Sequence, residues 1–358
     1  MALNDSVDMA TIDVLETEHQ KAFVQSLMRV LGTDVAEMTF AEIIDGLPTI
    51  ESYQDFHWPQ EGHPATQHLE LCPGMIEKAR QLRSDFPTTS LTFRLPLLHA
   101  FADTAINSRP FHLRLFELLA VSIHQIAVYL YQQDGANHTH QDYQKWIDSP
   151  HDTRRWDGYR HPTAFCHRFY VAVGRYPSGD ADTVGYWAEA KIFGGVFVFD
   201  RGESESECNE LYLHASRRVG PYTLFPLTTA QFERFVDFLL GDTEESTASR
   251  SPLPLRATSE NRWRWHSWDA ITRYHIFRDK YERSVQPTKP IGGVKSSVDW
   301  PEIGDELYLI GAMHDYWDGQ PVDKDKVREA LEHLQQVTPS SPVWSTRNAH
   351  SWTKNLFE

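Results

Sequence analysis

The segment that most constrains the fold is a long apolar stretch that begins at Ser108-Arg109-Pro110 and runs to about Gln133. Serine is a favoured N-cap residue and proline is favoured in the first helical turn, so the stretch predicts a helix that begins there. Its residues are apolar on almost every side, which is typical of a helix buried at the centre of a domain. We therefore expect the other elements to pack around this helix.

Polar residues interrupt the apolar stretch, among them Arg114, Glu117, His124 and Gln125. They argue against a membrane span, and we expect no segment of the chain to cross a bilayer. Wherever these side chains are buried, they need hydrogen-bonding or charged partners. Two arrangements are open: they face a sheet and complete a pocket, with Glu117 and His124 binding substrate, or they form a narrow solvent face.

The remaining pattern predicts an α+β fold, in which an N-terminal helical half packs its central apolar helix on a mostly antiparallel sheet. A helical C-terminal segment completes it. Short β-rich runs separated by Gly, Pro and Ser predict strands at residues 165–173, 196–199, 211–213 and 222–227. Residues 184–193 fit either a strand or a helix that ends at Gly194.

Composition along the chain suggests three parts. Residues 1–240 are predicted to form the α+β core, with helices in residues 1–150 and strands concentrated in residues 160–240. Residues 241–260 are rich in Ser, Thr, Pro and acids, which predicts a linker or exposed loop. Residues 261–358 are then a C-terminal helical segment that packs on the core.

Charge excludes some classes of function. Fifty acids against thirty-four bases give a formal net charge of -16, which opposes binding to nucleic acid or to an anionic membrane. The acidic N-terminus lacks the basic and apolar regions of a signal peptide, so we expect a soluble, cytoplasmic protein. Only Cys72, Cys166 and Cys208 are present, and their spacing excludes a disulfide scaffold and the usual zinc knuckles. The oligomeric state is not predicted.

Ionisable residues are concentrated between positions 159 and 201, within segments that otherwise read as core. Glu189 stands between two alanines, and a buried carboxyl has a raised pKa unless a cation offsets the burial. We therefore predict a catalytic group of Glu189, His167, Arg168, Asp200 and Arg201, with His161, Tyr186 and Trp187 binding substrate. The structural alternative pairs Glu189 with Lys191 on a solvated sheet face and lets Asp200 begin a turn.

A second candidate site is the segment His138-Thr139-His140-Gln141-Asp142. His138, His140 and Asp142 alternate as metal ligands do in some loops and strands, and the segment resembles the start of the metal-binding signature of metallo-β-lactamase-fold hydrolases. Tyr143 stands where that signature ends in His. A polar loop after a helix is the simpler interpretation. No cofactor is predicted, and a divalent metal is the alternative.

A third candidate is the segment of residues 256–289, which carries eight bases and four acids interleaved with aromatic residues. This mixture is typical of surfaces that bind single-stranded nucleic acid. It is equally typical of a segment that docks on the acidic remainder of the same chain. With the net charge of the chain, the second interpretation is favoured.

Residues 185–202, from Gly185-Tyr186-Trp187-Ala188-Glu189 to Val198-Phe199-Asp200-Arg201-Gly202, together with residues 118–127, resemble a family of uncharacterised proteins from filamentous fungi. The resemblance extends over about residues 95–240. It implies no activity, cofactor or catalytic residue, because none is established for that family. Proteins of this kind often accompany specialised metabolism, which the resemblance implies by association.

Our leading hypothesis is a cytoplasmic enzyme that acts on a small organic molecule by cofactor-independent acid/base chemistry, as an isomerase, cyclase, lyase or hydrolase. Glu189 and His167 are expected to transfer protons, while Arg168 or Arg201 stabilises developing negative charge. One alternative is a metal-dependent enzyme that uses the His138 segment. Another is a non-catalytic protein that binds a partner through residues 256–289.

Overall fold

The computed structural model describes residues 8–133, 138, 140–150, 160–215, 217–218, 220–241, 251–290 and 296–357, with only the backbone of His140. Helices make up 51% of the chain and strands 6%, so the predicted α+β class is confirmed and the fold is mostly helical. The helices are α1 (Thr17–Leu31), α2 (Asp34–Asp45), α3 (Ile50–Phe56), α4 (Met75–Asp85), α5 (Leu95–Ala102), α6 (Arg109–Tyr131), α7 (His140–Asp148), α8 (Asp180–Phe193), α9 (Thr229–Leu240), α10 (Ser267–Arg273), α11 (Glu302–Trp317), α12 (Lys324–Leu334) and α13 (Thr353–Phe357).

The central position predicted for the long apolar helix is confirmed. Ser108 caps α6 by accepting a hydrogen bond from the backbone N–H of Phe111, and α6 packs against α1, α2, α5, α8 and the sheet. By length and composition alone α6 is able to cross a membrane, which the sequence pattern did not predict. However, 72% of its apolar window is buried inside the fold, as in the core helix of a soluble protein.

Two antiparallel sheets are present. Their strands are β1 (Met9–Ala10), β2 (Phe93–Arg94), β3 (Val196–Asp200), β4 (Leu211–His214), β5 (Leu224–Pro226) and β6 (Ile276–Phe277). β1 pairs with β2, and the larger sheet has the order β5-β4-β3-β6. Because β3 pairs with β6, through Phe199 opposite Phe277, the chain after residue 260 completes the sheet of the core.

The prediction of a strand at residues 165–173 is wrong. These residues form irregular turns, and Phe165, Cys166 and Tyr170 are buried among side chains of other elements. Strand propensity measures how well a side chain fits a half-buried surface. Here the packing of other elements buries these side chains without the hydrogen-bond ladder of a sheet. Residues 160–240 are therefore less rich in strands than predicted.

The ambiguous run at residues 184–193 is helical and belongs to α8. Asp180 and Asp182 lie in its first turn, where carboxylates favour a helix N-terminus. Gly194 ends the helix in the left-handed conformation with φ of 97°, which favours glycine. The helix is buried on almost every side, because it lies between α6, α2 and β3.

The C-terminal part has its own small core and also packs on the first part. Leu309, Val327 and Leu334 are fully buried where α11 meets α12. Arg278, which follows β6, makes ion pairs with the core helix α8. Of the predicted linker at residues 241–260, residues 242–250 lie outside the described part of the chain.

Substitution of Gly194 tests the close approach at the end of α8. A Cβ there would lie 2.1 Å from the Leu255 carbonyl oxygen, so we expect Gly194→Ala to cost more than the ~1–2 kcal/mol of a left-handed backbone alone. Gly74→Ala is the matched control, because Gly74 has φ of 87° and no atom within 4 Å of its Cβ position. Equal losses in urea unfolding of the two variants would contradict the close approach.

Candidate functional site

The predicted residues Glu189 and His124 meet where α6 packs against α8. Gly185 makes this possible, because a Cβ at Gly185 would lie 2.6 Å from atoms of the His124 ring. The imidazole therefore lies flat against the backbone of α8, at the only type of residue that leaves room for it. From there it reaches carboxylates one turn away in each direction along α8.

His124 forms a bridge between two carboxylates. Its Nδ1 is 2.8 Å from Oε1 of Glu189, and its Nε2 is 3.0 Å from Oδ1 of Asp182. Both contacts are hydrogen bonds only if both ring nitrogens carry protons. Burial lowers the pKa of His124, but the hydrogen bonds to Asp182 and Glu189 outweigh it and leave the pKa raised. The geometry thus favours an imidazolium.

The second oxygen of Glu189 accepts a hydrogen bond from Arg278. Nη1 of Arg278 is 2.8 Å from Oε2 of Glu189, and its Nε is 2.7 Å from Oε1 of Glu282. Burial opposes the charge of Arg278, yet the two carboxylates raise its pKa well above the usual range. Glu189 is completely buried, and both of its oxygens have partners that offset the cost of burying a carboxylate.

A neighbouring ionic cluster contains Glu117 and Arg201. Nη2 of Arg201 donates to Oε1 of Glu117 over 2.6 Å, and Arg114 donates to Oε2 over 2.8 Å. Burial raises the pKa of Glu117, but the two guanidinium groups outweigh it and hold the pKa below its usual value. The polar stripe of α6 therefore faces inward at Arg114, Glu117 and His124, and the alternative of a solvent face is wrong for these residues.

The structure corrects the partners expected for Glu189 and Lys191. Glu189 and Lys191 lie on different sides of a buried helix and not on one face of a solvated strand. Lys191 therefore forms its ion pair with Glu42 of α2. Asp200 follows the structural alternative. Its Oδ1 accepts a hydrogen bond from the backbone N–H of Gly202 over 2.9 Å, so it does begin a turn.

His167 and His161 are not hydrogen-bonded to Glu189. Nε2 of His167 is 3.0 Å from the carbonyl oxygen of His214, and burial lowers its pKa to about 3, so the ring is a neutral donor. His161 lies against the ring of His57. Trp187 is in the core, and Tyr186 packs against the ring of His124.

Arg168 lines a cleft whose existence the sequence did not indicate. The cleft has a volume of about 560 Å³ and lies between residues 168–169, the start of β5 and the segment after α10. Four aromatic residues form much of its wall, namely Phe169, Tyr222, Trp268 and Trp300. The Arg168 guanidinium stacks 4.9 Å above the ring of Tyr222.

The cleft is rich in hydrogen-bond donors. Arg283 lines it and is 5% exposed, and its Nη2 has no hydrogen-bond partner among the described residues. Asp299 also lines the cleft, but its oxygens accept hydrogen bonds from the Tyr222 N–H and the Ser296 hydroxyl. His266 accepts a hydrogen bond from the Trp268 N–H at Nδ1, so its neutral ring carries a proton on Nε2.

The metal site predicted at His138, His140 and Asp142 is not assembled as such. Asp142 is exposed on α7 and forms an ion pair with Lys145. Residues 140–148 are helical, and in a helix residues two positions apart do not share a face. The side chain of His140 lies outside the described residues. His138 instead joins Asp45, His68 and Cys72, whose ligand atoms all lie within 4.8 Å of one another.

A second group able to hold a metal contains His57, His161 and Cys166. Nε2 of His57 is 2.9 Å from the carbonyl oxygen of Cys166, so this nitrogen serves as a hydrogen-bond donor there. Burial raises the pKa of the Cys166 thiol, which disfavours the thiolate that binds metals. Of the two groups, the one around His138 is the better set of ligands.

No protein-family model, curated protein or solved structure matches the chain. The resemblance to the fungal family therefore has no second observation to support it.

Sequence reasoning missed Arg283, Asp45 and Cys72 as functional candidates. In the sequence Arg283 is only one of the bases of the segment at residues 256–289. Trp268, which also lines the cleft, is the signal in that segment for an aromatic wall. Asp45 and Cys72 are far apart in sequence from His68 and His138, so no spacing pattern connects them. Their convergence depends on the turn after α2 and on the packing of α2 with α4.

The bridge formed by His124 predicts a pH-dependent contribution to stability. Since its folded-state pKa is raised above 6.5, the contribution is complete below about pH 6.5 and is lost as pH rises through the raised value. We expect His124→Gln to lower the free energy of unfolding by about 3–5 kcal/mol at acidic pH, because it leaves buried carboxylates without their cation. The difference from wild type should shrink at alkaline pH.

His112→Gln is the matched control, since His112 is on the same helix but burial and then Arg109 lower its pKa. For that variant the difference from wild type should grow as pH rises through about 6.5. Urea unfolding at several pH values measures both slopes. Parallel slopes for the two variants would refute the assignment of a protonated His124.

Proposed function

We propose that the protein binds a small organic anion with a planar ring in the cleft lined by Arg168 and Arg283. The observation that carries this proposal is the buried guanidinium of Arg283, which has no carboxylate partner within the described residues and borders an open cavity. A buried charge without a partner is costly to a fold. Its retention at a cavity is explained by a ligand that supplies the missing negative charge.

The dimensions and walls of the cleft suit a ligand of this kind. Its volume of about 560 Å³ is in the usual range for small-molecule sites, roughly 300–1,000 Å³. Aromatic walls favour a flat apolar group, while an Arg fork binds a carboxylate through two parallel hydrogen bonds. The Nε2–H of His266 is a third donor at the same cavity. A carboxylate attached to an aromatic ring satisfies both features.

A second cavity of about 480 Å³ supports an anion less well, although three arginines line it. Arg217 forms an ion pair with Asp55, and Arg264 donates hydrogen bonds to the carbonyl oxygens of Asn261, Val298, Asp299 and Thr258. Both of these side chains therefore already have hydrogen-bond partners. Arg283 differs because its Nη2 has no hydrogen-bond partner among the described residues.

Enzymatic acid/base chemistry on this ligand remains the hypothesis drawn from the sequence. In such an enzyme Arg168 keeps its predicted role of stabilising negative charge, because it borders the cleft. The buried ion pairs of Glu189 support a role in holding the cleft, through Arg278 and Glu282, which directly precedes Arg283. The alternative of a protein-binding segment at residues 256–289 has less support, since Arg262, Arg264, Arg278 and Arg283 are all buried.

Binding of simple aromatic acids tests the proposal. We expect benzoate and indole-3-carboxylate to bind the full chain better than their neutral amides, as measured by isothermal titration calorimetry and saturation-transfer NMR. Replacing Arg283 with Met should lower the affinity for the two carboxylates by about tenfold or more, since a hydrogen bond to a charged group contributes ~1.5–3 kcal/mol. The affinity for the amides should not change. Arg328→Gln, an exposed change on α12, is the control for surface charge. Equal binding of acid and amide would refute the proposal.

Stability measurements separate a ligand-binding arginine from a structural one. Arg283 and Arg278 are 5% and 7% exposed, but within the part of the chain that the structure describes only Arg278 has carboxylate partners. Arg278→Met should therefore lower the free energy of unfolding by about 3–5 kcal/mol, whereas Arg283→Met should leave it unchanged or raise it. Comparable destabilisation of both variants in thermal and urea unfolding would show that Arg283 is structural and contradict its role in the cleft.

A further inference from the structure

Four side chains from separate parts of the chain converge beside the C-terminal end of α2. Asp45 is the last residue of α2, His68 follows the turn at residues 64–66, Cys72 precedes α4, and His138 precedes α7. Their ligand atoms, one carboxylate oxygen, two imidazole nitrogens and one sulfur, all lie within 4.8 Å of one another. Asp45 and His68 are buried, and the other two residues are half-buried.

The tautomer of His68 leaves a lone pair directed into this group. Its Nδ1 lies 3.1 Å from the carbonyl oxygen of Pro48, and a carbonyl only accepts, so Nδ1 carries the proton. In the neutral ring Nε2 is then unprotonated. Hydrogen bonding of the other ring nitrogen to a backbone carbonyl is the usual arrangement for a histidine that ligates a metal.

Nε2 of His68 lies 3.2 Å from Oδ2 of Asp45, but the two atoms are not aligned as a hydrogen bond. Among the described residues, both Nε2 of His68 and Oδ1 of Asp45 are buried without a hydrogen-bond partner. With a neutral His68, the Nε2 lone pair and the carboxylate oxygen of Asp45 repel one another in a buried place. A cation bound between them would remove this repulsion.

Two distances within the group are close to those of tetrahedral coordination. Sγ of Cys72 lies 3.3 Å from Nε2 of His138. Zinc bonds of about 2.0–2.3 Å at tetrahedral angles place neighbouring ligand atoms roughly 3.3–3.7 Å apart. The two printed contacts, at 3.2 and 3.3 Å, are close to that range before any adjustment to an ion.

Backbone hydrogen bonds hold the same residues in place. The N–H of Cys72 donates to Oδ2 of Asp45 over 2.9 Å, and the N–H of His138 donates to the carbonyl oxygen of Asp45 over 2.8 Å. Asp45 thus organises both the loop before α4 and the residue before α7. Ligands fixed in this way need little reorganisation when a metal binds.

We propose that Asp45, His68, Cys72 and His138 form a structural zinc site. The donor set of one thiolate, two imidazoles and one carboxylate suits Zn²⁺ and not the hard cations Mg²⁺ and Ca²⁺, which take oxygen ligands. Four protein ligands leave no open position for substrate, as is typical of structural sites. The ion would link the C-terminal end of α2 to the loop before α4 and to the residue that precedes α7. The cleft and its ligand play no part in this inference.

Metal titration of the full chain tests the site. Protein stripped with a chelator should bind one equivalent of Zn²⁺ and show a higher Tm on its addition. Co²⁺ in its place should give the visible bands of tetrahedral cobalt and a thiolate-to-cobalt charge-transfer band. His138→Gln should lower the Zn²⁺ affinity by about a hundredfold or more, since even residues that only support metal ligands contribute about 10–100-fold. His138 is half-buried, so this variant is suited to keep the fold.

Cys72→Ser should abolish the charge-transfer band, and Cys208→Ser, at a half-buried cysteine outside the group, should keep it. Should Cys72→Ser fail to fold, the cobalt spectrum of wild type and the affinity of His138→Gln still decide. Failure of the stripped, folded wild type to bind Zn²⁺ or Co²⁺ stoichiometrically would overturn the proposal. Equal affinity of His138→Gln and wild type would also overturn it, as would a cobalt spectrum without a thiolate band.

Discussion

The structure depends on the ion pairs that Arg278 makes with Glu189 and Glu282 in the interior of the fold. A single buried charge is costly, and removing one partner of such a group leaves the others uncompensated. Glu189 also holds His124 of α6, so one carboxylate joins α6, α8 and the chain that follows β6. The C-terminal segment is for this reason bound to the core by charge as well as by the pairing of β6 with β3.

The ion pairs of Arg278 also position one side of the cleft. Arg283 directly follows Glu282, whose carboxylate is fixed by Arg278. On the opposite side, Arg168 directly follows His167, whose ring donates to the carbonyl of His214 at the end of β4. Two arginines on irregular segments are thus each adjacent to a residue that is anchored in the core. A rigid frame with binding groups on the segments beside it is the usual arrangement of a small-molecule site.

Sequence alone was sufficient for the features that local patterns control. The helix of residues 109–131 was recognisable from its capping serine and its apolar sides, and the strands near residues 196–200 and 211–214 from their alternation with turn residues. Residues 165–173 were mistaken for a strand because aromatic and β-branched residues favour burial of any kind. The partner of Lys191 was also missed, since Glu42 lies 149 positions away in sequence and no periodicity connects them.

The two proposed sites have opposite electrostatic requirements. Around Asp45 and His68, one carboxylate oxygen and one imidazole nitrogen have no hydrogen-bond partner among the described residues, and the ligand that suits both is a cation. Around Arg283, the guanidinium has a donor without a partner among the described residues, and burial together with the charge of Arg283 lowers the pKa of nearby His214 well below its usual value. The ligand that suits this place is an anion. A buried water is able to satisfy a single neutral group, but it does not neutralise a guanidinium or separate a carboxylate from a lone pair. In each case the atoms left unsatisfied by the fold specify the sign of the ligand.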